Sequence, residues 1–131
     1  MNKNFKNCSL ILFLILSYIK LPAQTPHEVK LAKQHFEGEW FNKKEKRHLS
    51  ISYDNGYMTV NDWLDHSKTS VDAYRAFIKH GILVMPEYKS DPIQPYSDMI
   101  IRHGILWYRC KCSPADKNNY NDSTAFTKIK S

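Results

Sequence analysis

The sequence predicts an all-β protein: a small antiparallel up-and-down barrel of about eight strands with a short N-terminal helix. Three turn signals carry this prediction, because each sets Gly as the second residue of a two-residue turn between β-forming runs. The turns are Asn55-Gly56, His80-Gly81 and His103-Gly104. The last two lie in near-identical phrases at 78–83 and 101–106. Three hairpins in series indicate a meander of neighbouring antiparallel strands.

The first 23 residues have the composition of a secretory signal peptide. Lys3 and Lys6 precede an almost purely apolar stretch at 10–19, and Ala23 offers a small residue at the exit. We therefore expect a signal peptide at 1–23, one domain at 24–131 and an exported protein, periplasmic or secreted. The alternative is a retained membrane anchor, although the apolar stretch is shorter than the ~20 residues that a spanning helix needs.

Signal cleavage lowers the net charge of the chain. The full sequence carries 19 basic and 13 acidic residues, a net charge of +6. Residues 1–23 hold three lysines and no acid, so 16 basic and 13 acidic residues remain, a net charge of +3. This modest value argues against a nucleic-acid partner. The basic run at 43–48 is interpreted as a solvated loop, with an anionic partner as the alternative.

Local patterns place the elements of the domain in order. Thr25 and Glu28 have the spacing of a capping box, which predicts a helix at 25–36. Alternation and turn signals then predict eight strands, at 39–42, 47–53, 57–63, 71–79, 82–88, 96–102, 105–112 and 124–130. Closing this meander pairs the last strand with the first and removes both edges. The alternatives are an open barrel of five or six strands and a helix at 72–78.

Two hairpins predict their own registers. A two-residue turn at 55–56 pairs Tyr53 with Met58 and Ile51 with Val60, which gathers the apolar residues on one face. The third hairpin pairs Ile101 with Leu106 and Met99 with Tyr108 on one face. It also sets Asp98 opposite Arg109 on the other face, a favourable charge pair. In the second hairpin both faces are fairly apolar, so the inward face stays open.

The segment Gly38-Glu39-Trp40 resembles the opening of lipocalin-like proteins, in which Gly-x-Trp starts the first strand after a short helical turn. The eight-strand meander after a signal peptide is similar to a small bacterial form of that superfamily. The resemblance implies that Trp40 closes one end of the barrel. It also implies that a basic residue near the last strands, Arg109 or Lys128, packs on Trp40.

The predicted function is that of a non-enzymatic binding protein of lipocalin-like type that takes a small apolar molecule or a peptide. Its candidate ligand-binding residues are those expected to point into the barrel: Trp40, Leu49, Ile51, Tyr53, Met58, Val60, Met99 and Tyr108. The alternative is a secreted protease inhibitor that acts through the loop at 89–95, where two prolines hold an extended segment in advance of binding. A protease is the partner in that case.

No motif for catalysis or for a cofactor is present in the sequence. It contains no Ser-His-Asp order, zinc motif or Gly-rich phosphate loop, so we expect neither an enzyme nor a metal or cofactor site. Cys110 and Cys112 are the cysteines of the domain, at a strand spacing that makes their side chains parallel and ill suited to a disulfide. Two free thiols are the favoured interpretation, and a strained local disulfide or a metal or intermolecular role are the alternatives.

Overall fold

The computed structural model describes residues 24–67, 70–89, 94–111, 120 and 122–130, which form one helix, a short 3-10 helix and eight strands. The predicted signal peptide lies outside these residues. In chain order the elements are α1 (Pro26–His35), β1 (Gly38–Asn42), β2 (Arg47–Asp54), β3 (Tyr57–Leu64), the 3-10 helix Asp65–Ser67, β4 (Asp72–Lys79), β5 (Ile82–Met85), β6 (Ser97–Arg102), β7 (Ile105–Cys110) and β8 (Asp122–Lys128).

The eight strands form a closed barrel in which every strand pairs antiparallel with its neighbours in sequence, and β8 returns to β1. The closing pairs are Trp40 with Lys128 and Phe41 with Thr127. Closure leaves neither end of the sheet as an unpaired edge. The predicted fold class is therefore confirmed. The alternatives of an open barrel and of a helix at 72–78 are wrong.

Both predicted registers are confirmed. Ile51 lies opposite Val60 in the first hairpin, and Asp98 lies opposite Arg109 in the third. The strand bounds differ from the prediction mainly at β5, which ends at Met85 rather than at residue 88. Pro86 follows, and a proline has no N–H to donate to the ladder. Tyr88 instead forms an isolated bridge with Gln94.

The three two-residue turns have the backbone geometry that their sequences predict. Asn55, His80 and His103 have φ of 51°, 51° and 53°, and the Gly that follows each also has positive φ. Positive φ at both central residues is the type I′ turn, whose twist matches that of the flanking strands. The hairpin signals thus fix the fold through local chemistry.

Helix α1 covers one end of the barrel. Its capping box is formed, since the Thr25 hydroxyl accepts from the Glu28 N–H at 3.2 Å and the Glu28 carboxylate accepts from the Thr25 N–H at 2.8 Å. The Gln24 side chain bonds the backbone of Ile78 on β4 twice, at 2.6 and 3.2 Å. Ala32 and Phe36 reach the core. The helix therefore closes the end of the barrel that also carries the two-residue turns.

The up-and-down topology gives the barrel two unlike ends. The end with α1 and the turns at 55–56, 80–81 and 103–104 is called the turn end below. The other end, called the loop end, carries the connections that follow β1, β3, β5 and β7. These span 43–46, 65–71, 86–96 and 111–121. A barrel closed by a helix at one end leaves the loop end as the place for access from solvent.

The barrel interior is filled with apolar side chains over much of its length. Leu49, Val60, Leu83, Met99, Leu106 and Phe126 have no accessible surface, so they border neither solvent nor a space that admits water. This interdigitated packing is the arrangement expected of a small eight-stranded barrel. In the part of the chain that the structure describes, no helix is long and apolar enough to span a membrane.

The favoured interpretation of Cys110 as a free thiol is corrected by the structure, in which Cys110 is disulfide-bonded. Its partner lies outside the described residues. The expectation depended on one strand continuing through residue 112, which would hold the two side chains parallel. Strand β7 ends at Cys110 instead, so that constraint does not apply to the chain beyond it.

Candidate functional site

An ion pair lies at the loop end of the barrel, on the inward faces of β2 and β3. The Arg47 Nε donates to Asp62 Oδ1 at 2.8 Å, and its Nη2 donates to Asp62 Oδ2 at 2.5 Å. The two side chains are only 21% and 9% exposed. A bidentate pair of this kind fixes both groups in one geometry. The hydrogen bond that Arg47 donates to Asp62 raises the pKa of Arg47, with burial acting in the opposite direction.

Aromatic rings enclose the Arg47 guanidinium from the barrel side. Its central carbon lies 4.9 Å from the ring centroid of Tyr108 and 5.7 Å from that of Phe126. Guanidinium groups stack favourably on aromatic faces at these distances. Phe126 is fully buried and belongs to the apolar core. Arg47 is thus the point at which the filled interior gives way to a polar loop end.

A pocket of about 390 Å³ opens at the loop end beside this ion pair. Its volume falls in the range of small-molecule sites. Four of its eight lining residues are charged, and two carry large aromatic rings. The lining consists of Glu45, Arg47, Asp62, Trp63, Leu64, Ser70, Asp72 and Tyr74. The first strands of the chain therefore build a partly polar, partly aromatic recess.

Two carboxylates face each other across the strands that carry the pocket. Asp62 on β3 lies directly opposite Asp72 on β4. Like charges directly opposite each other in a sheet repel. The pKa of Tyr74 is raised to about 12, mainly by burial, with smaller contributions in the same direction from Tyr108, Asp72 and Asp62 and an opposing one from Arg47. Tyr74 therefore stays protonated at neutral pH and can donate a hydrogen bond.

The residues predicted to bind a ligand lie apart from this pocket. Tyr53 and Tyr108 are partly buried and pack against the core cluster, and Tyr108 reaches Arg47. The other six are at most 2% exposed: Trp40, Leu49, Ile51, Met58, Val60 and Met99. All eight belong to the interior or to its border, as alternation predicts. Ligand binding by them stays a prediction.

Sequence reasoning missed the residues that line the pocket. Arg47 belongs to the run interpreted as a solvated loop, and Asp62 lies near the end of the predicted strand at 57–63 with no predicted role. The register of the first hairpin offers a signal for Asp62, because continuing it sets Leu49 opposite Asp62 and keeps Asp62 on the inward face with Val60. For Asp72 and Tyr74 the signal was weak, since both faces of 71–79 are fairly apolar.

A second polar cluster lies on the outer wall of β6 and β7. The Asp98 carboxylate is 1% exposed and accepts from Arg109 Nε at 2.7 Å. It also accepts a short hydrogen bond from the Tyr120 hydroxyl and a longer one, 3.4 Å, from Tyr96. The predicted Asp98–Arg109 pair is confirmed. Because these donors satisfy the buried carboxylate, the cluster fastens residue 120 to the barrel wall.

The loop proposed for protease inhibition is described only at its two ends. Tyr88 and Gln94 exchange backbone hydrogen bonds of 2.7 and 2.8 Å, and residues 90–93 lie outside the described chain. Among the described residues no three His, Cys, Asp or Glu side chains are placed to hold a metal ion. The chain matches no family model, no curated protein and no solved structure.

Proposed function

We propose that this protein is a non-enzymatic, lipocalin-like binding protein that holds a small ligand in the pocket at its loop end. The pocket beside Arg47 and Asp62 is the observation that carries the proposal. The lipocalin-like assignment is supported by the helix before β1 and by the Gly38-x-Trp40 opening. It is also supported by Lys128, whose ammonium lies 5.4 Å from the centroid of the Trp40 ring.

The division of the barrel into a filled part and a polar recess favours a ligand at the loop end. Core side chains without accessible surface leave no room for a guest unless they move. The pocket offers hydrogen-bonding groups on Ser70, Asp72 and Tyr74 together with the apolar side chain of Leu64 and the aromatic ring of Tyr74. Such a combination suits a small molecule with one apolar part and one polar group. We therefore propose an amphipathic small molecule as the ligand, in place of the small apolar molecule that the sequence predicts.

A fragment screen read by NMR tests this proposal. The protein with isotope labels is titrated with a library of small neutral and charged aromatic compounds. We expect saturable shifts of the backbone amides of Leu64, Ser70 and Tyr74. The amides of the turn end, Asn55 and His103 among them, serve as the internal control and should stay unchanged. A library without any saturable binder, or binders that shift only the turn end, would contradict the proposal.

A protease inhibitor remains the second candidate function. The Tyr88–Gln94 bridge supports it, because two backbone hydrogen bonds hold the ends of the loop together and reduce the entropy lost when the loop binds. Inhibition assays against a panel of cysteine and serine proteases test it. We expect the protein to inhibit at least one protease, and replacement of residues 90–93 by Gly-Ser-Gly-Ser to abolish that inhibition. Asp72→Asn, which changes the pocket and not this loop, is the control and should inhibit as the wild type does. Unchanged activity of every protease would contradict this candidate.

We also propose that the protein is exported, on the strength of the basic and apolar composition of residues 1–23. Mass spectrometry of the exported fraction should give a chain that starts near Gln24. A chain that starts at Met1 in that fraction would contradict signal cleavage. Cleavage before Gln24 would keep the hydrogen bonds between the Gln24 side chain and the backbone of Ile78.

A further inference from the structure

The charges that line the loop-end pocket do not balance. Three carboxylates, Glu45, Asp62 and Asp72, line it with one cation, Arg47. Arg47 is engaged by Asp62 at 2.5 Å, and Glu45 lies 3.9 Å from its Nη1. Asp72 has no ion-pair partner among the described residues. The ion pair therefore satisfies Asp62 and leaves Asp72 as a carboxylate at the pocket wall.

The strand register makes this imbalance a property of the fold. Asp72 is the residue directly opposite Asp62, and both side chains belong to the inward face that Val60 and Tyr74 share. Arg47 neutralises Asp62, and a cation bound at Asp72 would neutralise the other carboxylate of this opposed pair. Burial is the main cause of the raised pKa of Tyr74, and both carboxylates contribute in the same direction.

The remaining lining indicates the kind of cation. Tyr74, on the inward face opposite Val60, belongs to the wall of the same pocket as Asp72, together with Leu64. The Trp63 ring instead stacks on His48, its cross-strand neighbour, with ring centroids 5.2 Å apart. Aromatic faces attract ammonium groups and also pack against an apolar body. A bare metal ion needs several anionic or imidazole ligands together, and the described residues bring no three such groups into place. An organic cation uses the Asp72 carboxylate and the Tyr74 ring at once.

We propose that the loop-end pocket selects a small organic cation, an ammonium group on a short aromatic or apolar body, and that Asp72 determines this selectivity. The inference rests on the proposed binding function and names its ligand class. The ammonium binds at Asp72, the apolar body lies against Leu64 and Tyr74, and Arg47 holds Asp62 in place. The lysines of the 43–46 turn are exposed to solvent and do not line the pocket.

Three probes with the same phenyl body and different head groups test the inference. They are 2-phenylethylamine, 2-phenylethanol and phenylacetate, titrated by NMR at low and at high salt. We expect the amine to bind roughly fivefold to tenfold more tightly than the alcohol, the scale of a partly exposed ion pair helped by an aromatic wall. Phenylacetate should bind most weakly, and added salt should reduce the advantage of the amine.

Variants at Asp72 separate selectivity from general binding. Asp72→Asn should remove most of the preference for the amine, and Asp72→Lys should shift it toward phenylacetate. Asp54→Asn changes the net charge by the same amount at the turn end and should leave the preference intact. Asp54 and Asp72 are both exposed strand residues, so both variants should keep the wild-type pattern of amide signals away from the substitution.

The outcomes distinguish this inference from the binding function. Equal affinity for the three probes at the loop end would leave the binding function standing and overturn the cation inference. A preference for phenylacetate, or an amine preference that survives in Asp72→Asn, would overturn it as well. If no probe shifts the pocket amides, the cation inference fails, while the fragment screen still decides whether the pocket binds other compounds.

Discussion

The Lys128 ammonium lies 5.4 Å from the centroid of the Trp40 ring, across the pair of strands that closes the barrel. Trp40 is 2% exposed, and its indole Nε1 donates to the Phe36 carbonyl at 2.8 Å. A Cβ on Gly38, whose φ is 132°, would come within 2.8 Å of Lys128 Cε. Glycine thus lets the lysine pass over the chain to reach the ring. These contacts join the helix end, the first strand and the last strand.

Replacing Trp40 is expected to cost much of the stability of the domain. Trp40→Ala leaves a cavity in the core and removes the hydrogen bond to Phe36, which should lower the free energy of unfolding by about 3–5 kcal/mol. Trp40→Phe should be milder. Glu39→Ala, on the outer face one residue away, should change little. Urea unfolding measures all three, and equal losses at Glu39 and Trp40 would contradict the closed-barrel account.

The Arg47–Asp62 pair gives a prediction with a built-in control. Asp62→Ala leaves the half-buried guanidinium without its main acceptor, so the free energy of unfolding should fall by about 2–3 kcal/mol. The double variant Arg47→Met with Asp62→Leu replaces both charges by apolar groups and should recover much of this loss. Urea unfolding measures the stability of both variants. A double variant less stable than Asp62→Ala would contradict the claim that the cost of Asp62→Ala comes from an unpaired Arg47.

The disulfide of Cys110 is expected to stabilise the domain. Cys110→Ser should lower the free energy of unfolding by about 1–2 kcal/mol, because Cys112 is the other cysteine of 24–131 and a link across so short a loop restricts the unfolded chain only a little. A reducing agent should weaken the wild-type protein by a similar amount and leave the variant unchanged. Mass spectrometry of the unreduced protein identifies the partner cysteine. Wild-type stability that does not respond to reduction would contradict the disulfide.

The outer cluster around Asp98 predicts unlike behaviour for two equally exposed tyrosines. Tyr120 is 38% exposed and Tyr88 is 37% exposed, but Tyr120 donates to the buried Asp98 carboxylate. Tyr120→Phe removes that donor and should cost about 1.5–3 kcal/mol, the scale of a hydrogen bond to a charged group. Tyr88→Phe is the matched control and should be nearly neutral. Urea unfolding measures both variants, and similar losses of stability at the two positions would contradict the claim that the hydrogen bond from Tyr120 to Asp98 stabilises the domain.

The fold was predictable because its signals are local. Each type I′ turn depends on the identity of two adjacent residues. The alternation of apolar and polar residues on either side of Asn55-Gly56 is compatible with one register of β2 against β3. The capping-box spacing of Thr25 and Glu28 likewise predicts the start of the helix from four consecutive residues. The even number of strands makes the closing pair of β8 with β1 antiparallel, like every other pair of the barrel. The departures fall at Pro86 and Cys110, where a strand stops sooner than alternation suggests.

The pocket was not predictable because its charges depend on partners in other strands. Arg47 ends a run of basic residues, and such a residue ordinarily faces solvent. It turns inward here because Asp62, fifteen positions later, neutralises it and two aromatic rings cover it. Asp72 becomes significant only when the register sets it opposite Asp62. None of these relations is visible in a window of neighbouring residues.

The most direct test of the central claim is a measurement of intermolecular nuclear Overhauser effects from bound 2-phenylethylamine. Binding at the loop end predicts contacts from its phenyl protons to the Leu64 methyl groups and the Tyr74 ring, both of which line the pocket. Contacts to Ile51, Met58 or Met99 instead would mean that the ligand enters the apolar interior. That result would contradict the loop-end site and favour the buried residues that the sequence alone pointed to.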